Sequence, residues 1–390
     1  MMRRFFIIFT FATLFATALS MQNTLSAQTS SESVLPVTLN AGEWKAGHIQ
    51  GVAVDSDRQY VYVSFTTLLV KLDMQGNVIG TVTGLIGHLG CLEWCEQDGR
   101  LYGSLEYKND AIGRPILERE NAGRAVEDGF YVAVFDVDKI NREGMNAERD
   151  GVMKTVFLRT VLDDYKASVT CAGSSVEHRY GCSGFDGISF GPKFGKSGRD
   201  GKQYLTIAYG IYGDSTRTDN DYQVLLQYDT SDWARYESAI SQNNIHRNGP
   251  ESPDGVYFVL TGTKNWGVQQ LEYDKHSDLW LLGTYKSRKP HFNNFTLFAV
   301  KGDAKPRRTR LQGVDYAAKQ SVLPLAPLGD SDAAYPSIRG WRYDCAVGLC
   351  SLGDGDFFIA KSKKRDGIQS GIISRLRFTP TAQDSPFVRY

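Results

Sequence analysis

The sequence predicts an all-β fold, a five-bladed β-propeller closed by an N-terminal strand, and three observations carry that prediction. A stretch opening on Gly-His, Gly47-His48-Ile49-Gln50-Gly51-Val52-Ala53-Val54-Asp55, returns forty residues later as Gly87-His88-Leu89-Gly90-Cys91-Leu92-Glu93-Trp94. Each copy is followed by further short β-rich runs set off by polar turns. The last repeat is one strand short, and an unassigned strand-like run lies just ahead of the first. Four strands within about 40 residues is the period of a propeller blade. A sandwich or jelly roll does not explain why the order recurs.

In chain order, residues 1–27 stand outside the fold. Arg3 and Arg4 precede an apolar run at 5–19, and Ser26-Ala27 supplies small residues for cleavage. This is the pattern of a secretory signal peptide, which predicts a periplasmic or secreted protein. The run is short for a membrane span, and no later stretch resembles one. Residues 28–390 then read as a single domain. The run at 35–39 is the strand expected to complete the last blade and cover its edge.

The first unit has strands at 49–54, 59–65, 68–72 and 78–83, with turns at 55–57 and 75–77. The second has strands at 88–94, 100–106, 130–135 and 152–161, with an insertion at 107–128. A third opens at Gly184-Phe185-Asp186 and continues at 203–209, 222–228 and 256–261. The fourth opens at Gly267-Val268-Gln269 and continues at 279–285, 296–300 and 307–311. The fifth opens near Ala346 and adds 356–361 and 371–378. The stretch at 191–262 is long enough to hold a sixth blade, the alternative count.

Composition narrows the function classes. The chain is 42% hydrophobic and 23% charged, with 44 basic and 44 acidic residues. Zero net charge and the lack of a basic arm argue against nucleic-acid binding. Six cysteines in an exported chain allow disulfides, with Cys171–Cys182 and Cys345–Cys350 the pairs nearest in sequence. No C-x-x-C or H-x-x-x-H spacing points to zinc.

In a propeller the start of each innermost strand and the end of each second strand reach the same mouth of the central channel. One level there collects His48, His88, Gly184, Gly267 and Ala346, and two positions inward lie Gln50, Gly90, Asp186, Gln269 and Gly348. The second-strand ends add Glu106, Tyr107, Lys108, Tyr209, Tyr212, Tyr285, Lys286 and Arg288, and the fourth mouth loop adds Trp266. Such a concave site with a few convergent polar groups is where a ligand is expected. Aromatic faces suit sugar rings, and lysine or arginine suits a carboxylate.

His48 and His88 can act as metal ligands or as an acid/base pair, against a structural role as repeated hydrogen-bond partners. Asp186 can bind a metal, act as a base or accept hydrogen bonds from a neighbouring strand. Glu106, Tyr107 and Lys108 precede the insertion, and long loops are commonly functional. Residues 210–221 are rich in oxygen ligands but lack the spacing of an EF-hand. There is no P-loop, G-x-S-x-G elbow or H-E-x-x-H.

Through its five strand starts the chain resembles the broad superfamily of secreted bacterial β-propellers. Propeller-type polysaccharide lyases combine histidine, tyrosine and a basic residue at the channel mouth, and His48, His88, Tyr107 and Lys108 are similar in composition. Calcium-dependent lactonases of the gluconolactonase type use an acidic cage, to which Asp186 and Glu106 would correspond. The resemblance implies a glycan-active enzyme that cleaves an acidic saccharide by β-elimination. Lys108, Lys286 or Arg288 would neutralise the uronate carboxylate, a histidine would take the C5 proton, and Tyr107 would protonate the leaving oxygen. A glycoside hydrolase would instead use Glu106 and Asp186. A non-catalytic binding propeller would rely on Trp266, Tyr209, Tyr212 and Tyr285, with Gln50 and Gln269 as further contacts. No cofactor is demanded, a divalent metal such as calcium being the one left open. The expected partner is an anionic saccharide, with neither nucleic acid nor membrane involved after signal cleavage.

Overall fold

The computed structural model describes residues 35–390, apart from 121, 124, 197–200, 263–265 and 383–384. The expected signal peptide at 1–27 lies outside the described residues, as do Lys264 and Asn265 of the fourth mouth loop. No helix among the described residues is long and apolar enough to cross a membrane.

Five sheets follow one another along the chain, and the first strand of each faces a common centre. These inner strands are Ile49–Val54, His88–Cys95, Cys182–Gly191, Val268–Asp274 and Leu349–Ser351. Each packs against the next, and the fifth packs against the first, which closes the ring. Sheet-on-sheet packing buries both faces of an inner strand, so Ile49–Val54 and Cys182–Gly191 are buried throughout. That crowding selects glycine. A Cβ on Gly51 would lie 2.6 Å from the backbone nitrogen of Leu92 in the adjacent blade.

The hairpins leaving the inner strands repeat one piece of turn chemistry. Asp55 accepts hydrogen bonds from the backbone of Gln59 and Tyr60, and Asp98, Asp274 and Asp354 do the same for residues just beyond them. An aspartate that satisfies nearby backbone N–H groups nucleates a turn. The repeat is therefore local as well as tertiary.

Blade one is Ile49–Val54, Tyr60–Phe65, Leu68–Asp73 and Val78–Thr83, with Met145–Asn146 added in parallel at its edge. Blade two is His88–Cys95, Arg100–Tyr107, Gly129–Phe135 and Met153–Phe157. The strand expected at 152–161 stops at Phe157 and gives way to a helix, Arg159–Lys166. The insertion after blade two's second strand likewise carries a short helix, Gly113–Arg119.

Blade three has four strands, Cys182–Gly191, Tyr204–Ile211, Tyr222–Tyr228 and Gly255–Leu260, extended by Gln320–Val322 and Arg307–Thr309. Blade four therefore has three, Val268–Asp274, Leu279–Thr284 and Leu297–Lys301. Arg307–Thr309, expected as its fourth strand, joins blade three instead. The outer edge of blade four is covered by irregular chain, where Trp341 bridges Leu297 and Ala326 hydrogen-bonds Ala299. The residues between Tyr228 and Gly255 form no sixth blade. They lie over blade two, with Ser238 bridging Thr155 and Gln242 reaching the hydroxyl of Tyr107.

Blade five joins Leu349–Ser351, Asp356–Arg365 and Ile368–Phe378 to the N-terminal strand Thr38–Trp44. That strand pairs antiparallel with Ile368–Phe378, so the two ends of the chain close the ring together. The expected strand at 35–39 starts later and runs further.

All six cysteines are free buried thiols, so neither proposed disulfide is present. Cys171 sits in an outlying hairpin facing Thr218, whereas Cys182 faces the carbonyls of Val161 and Gly184. Proximity in sequence did not bring the sulfurs onto common neighbours.

Candidate functional site

The four longer inner strands each break register near their beginnings. The irregularities fall at Gln50, between Leu89 and Leu92, at Asp186 and at Gln269. A β-bulge re-aims a side chain, and such bulges concentrate beside active sites. Here the same bulge, repeated around the ring, directs Gln50, Asp186 and Gln269 toward one mouth.

His88 begins blade two's inner strand and pairs in register with Glu106 on the second strand. Its Nδ1 lies 3.8 Å from Glu106 Oε2 and 3.5 Å from Asp186 Oδ1. That nitrogen is buried without a hydrogen-bond partner. Glu106 Oε1 accepts a hydrogen bond from the backbone of Phe185 at 2.6 Å, and Oε2 lies 2.7 Å from Lys108 Nζ. Lys108 also donates to the carbonyl of Ser183 at 2.8 Å. Asp186 Oδ2 accepts from Gln269 Nε2 at 2.9 Å, and the same amide donates to the carbonyl of Trp266 at 2.7 Å. The ligand atoms of His88, Glu106 and Asp186 all lie within 4.8 Å of one another, a group that could hold a metal ion.

Beside this cluster, His48 Nε2 is 3.2 Å from the hydroxyl of Tyr285, which joins blades one and four across the mouth. Gln50 Nε2 donates to Thr66 Oγ1 at 3.3 Å. Arg119, from the helix in the insertion, reaches Thr67 and adds positive potential near His48.

Burial dominates the electrostatics. It holds the His88 imidazolium pKa down to about 3, with help from the Lys108 ammonium, and it lowers that of His48 with help from Arg119. Both rings are therefore neutral near pH 7. Burial pushes Glu106 up to about 8 against the pull of Lys108, and it raises Asp186 against the same ammonium. Burial also raises the Tyr285 hydroxyl, with Asp186 adding to the effect, so that it keeps its proton.

The fold thus gathers His48, His88, Gln50, Glu106, Lys108, Asp186, Gln269 and Tyr285. Others named from the sequence lie elsewhere. Tyr107 is fully buried in the apolar core, with its hydroxyl on Gln242, because alternation along the strand turns it away from Glu106 and Lys108. Tyr209 is equally buried and donates to Asp164 at 2.8 Å. Tyr212 donates to Asp110 and packs on His178. Trp266 stands 37% exposed beside Gln269, with a left-handed φ of 66°. Lys286 and Arg288 are exposed in the segment after Tyr285. The carboxylates of the oxygen-rich stretch at 210–221 are engaged by other side chains. Asp219 pairs with Arg217, Asp214 holds Thr216, and Asp221 pairs with Lys289.

Sequence reasoning missed the opposite mouth. A cavity of about 340 Å³ lies there, lined by Glu93, Glu272, Arg58 and Ser351 among others. Glu93 accepts from Ser189 and Phe190, and Glu272 accepts from the backbone of Ser351. Read five positions beyond His88 and Gly267, the repeat alignment falls on Glu93 and Glu272, so the signal was available. Between the mouths, the buried side chain of Gln270 bridges the Gln50 carbonyl and the Leu349 amide.

No protein-family model matches the chain, and no curated protein matches it in sequence. Among solved structures, it is similar to the holo form of the pyranose dehydrogenase PQQ domain from Coprinopsis cinerea. That likeness has 10% identity over 83% of this chain and 81% of that one, with a TM-score of 0.37. It is also similar to the apo form of the soluble aldose sugar dehydrogenase from Escherichia coli. There the identity is 10% over 88% of this chain and 99% of that one, with a TM-score of 0.36.

Proposed function

We propose that this mouth is the active site of a carbohydrate-active lyase that cleaves an acidic saccharide by β-elimination. The observation that carries the reading is the His48–Tyr285 pair at 3.2 Å. A neutral imidazole has a lone pair free to act as a base, and burial keeps the Tyr285 hydroxyl protonated, so that it has a proton to give once charge develops on the departing oxygen. His48 would take the C5 proton of a uronate while Tyr285, in place of the buried Tyr107, gives its proton to the departing oxygen. The C4–O bond breaks and a C4–C5 double bond forms. The exposed Lys286 and Arg288 beside Tyr285 supply positive charge for the substrate carboxylate. The exposed ring of Trp266 offers a face for a sugar.

Hydrolysis through Glu106 and Asp186 has less support. Glu106 is 1% exposed in its side chain and is held by Phe185 and Lys108, so it is not presented to a glycosidic bond. The test is the ultraviolet absorbance of an unsaturated product while the protein meets a panel of acidic polysaccharides. His48→Ala and Tyr285→Phe are each expected to lower kcat by roughly 10²–10⁴-fold. Tyr107→Phe should leave it unchanged. New reducing ends without unsaturation would transfer the reading to hydrolysis. Binding with no new ends would make this a glycan-binding propeller.

A further inference from the structure

The cluster of His88, Glu106 and Asp186 contains more order than proton transfer by His48 and Tyr285 requires. We propose that it is a binding site for one divalent transition-metal ion, of the zinc or manganese type. The inference goes beyond the elimination reading, since ion binding depends on no particular substrate.

Three features converge. The first is the orphaned nitrogen. His88 is 9% exposed, and its Nδ1 is buried with no hydrogen-bond partner while facing two carboxylates. A buried polar atom with no partner calls for an explanation, and an ion at that position supplies one.

The second is the division of labour within each carboxylate. Glu106 gives Oε1 to the backbone of Phe185 and turns Oε2 toward His88. Asp186 gives Oδ2 to Gln269 and turns Oδ1 toward His88. In both, one oxygen is pinned by an outer partner and the other points inward, the arrangement by which outer-shell groups orient metal ligands. Lys108 Nζ forms an ion pair with the inward oxygen of Glu106 at 2.7 Å, yet that oxygen, like His88 Nδ1, is buried with no hydrogen-bond partner and keeps lone pairs for an ion.

The third is size. Tetrahedral ligands on bonds of about 2.1 Å stand about 3.4 Å apart. The two separations from His88 Nδ1 are 3.5 and 3.8 Å, and all three ligand atoms lie within 4.8 Å of one another, so the ligands draw slightly inward on binding. One nitrogen and two carboxylates match the ligand set of a three-ligand transition-metal site. Calcium is a poorer fit, because it takes 6–8 oxygen ligands.

The test uses tag-free full-length protein treated with chelator and then titrated with zinc, manganese or calcium chloride in a calorimeter, without saccharide. One equivalent of zinc or manganese is expected, with calcium far weaker. Cobalt(II) at the same site should give a visible absorption band that zinc abolishes. His88→Ala and the isosteric Asp186→Asn should each weaken binding on the order of 100-fold, and Gln269→Ala roughly 10-fold, in variants whose circular dichroism is unchanged. If the wild type takes up no equivalent, or if a folded variant of either ligand binds as tightly as wild type, the site is refuted. A protein that binds zinc but eliminates nothing would sink only the lyase reading.

Discussion

Gly184 shows how one residue conditions the candidate site. Its φ is +117°, and a Cβ there would lie 1.8 Å from Glu106 Oε1. The left-handed backbone excludes most side chains, and the clash would push Glu106 off the Phe185 amide. Gly184→Ala is therefore expected to cost about 2–4 kcal/mol, read from the urea midpoint. An unchanged midpoint would mean that the strand relaxes around the new methyl. From the sequence, Gly184 was legible only as the small residue occupying a histidine's place in the repeat. The reason for it lies in blade two, 78 positions earlier, where Glu106 waits for an amide.

At the scale of the element, closure rests on Thr38–Trp44. Its burial alternates, with Leu39 and Ala41 buried and Thr38 and Asn40 exposed. One face is thus buried while the backbone pairs with Ile368–Phe378. Leu39→Asp places a carboxylate at a site that is 3% exposed. A loss of about 3 kcal/mol or more is expected in chemical denaturation, whereas Thr38→Asp should stay within about 0.5 kcal/mol. Equal effects from the two would show that the strand does not hold the ring. This closing strand was legible because an incomplete last repeat needs a partner. The fate of Arg307–Thr309 was not, since strand propensity says nothing about which edge a strand will join.

Across the whole molecule, the ring has two polar mouths with Gln270 packed between them. At the one lined by Glu93 and Glu272, burial pushes Glu93 up from 4.5 to about 8, and burial together with the neighbouring charge of Glu93 raises Glu272. A carboxyl whose folded pKa is raised binds more protons in the folded state than in the unfolded state. Its contribution is full below the unfolded value and is lost as pH rises through about 8. Thermal stability should therefore fall between about pH 5 and about pH 9, and Glu93→Gln should narrow that fall. A melting temperature equally sensitive to pH in the wild type and in Glu93→Gln would remove this pair from the account.

The sequence by itself determined the blade repeat, the closing strand and the two neighbouring levels at which His88 and, two positions inward, Asp186 and Gln269 stand, because these follow from local periodicity and turn chemistry. Only the tertiary structure decided which of the neighbouring side chains face the mouth. Tyr107 and Lys108 adjoin in sequence, yet one points into the apolar core and the other pairs with Glu106. The bulges turn Asp186 toward His88, and ring closure brings Tyr285 to His48 across 237 positions. Contacts of that kind depend on the curvature of the whole ring, which no local pattern encodes.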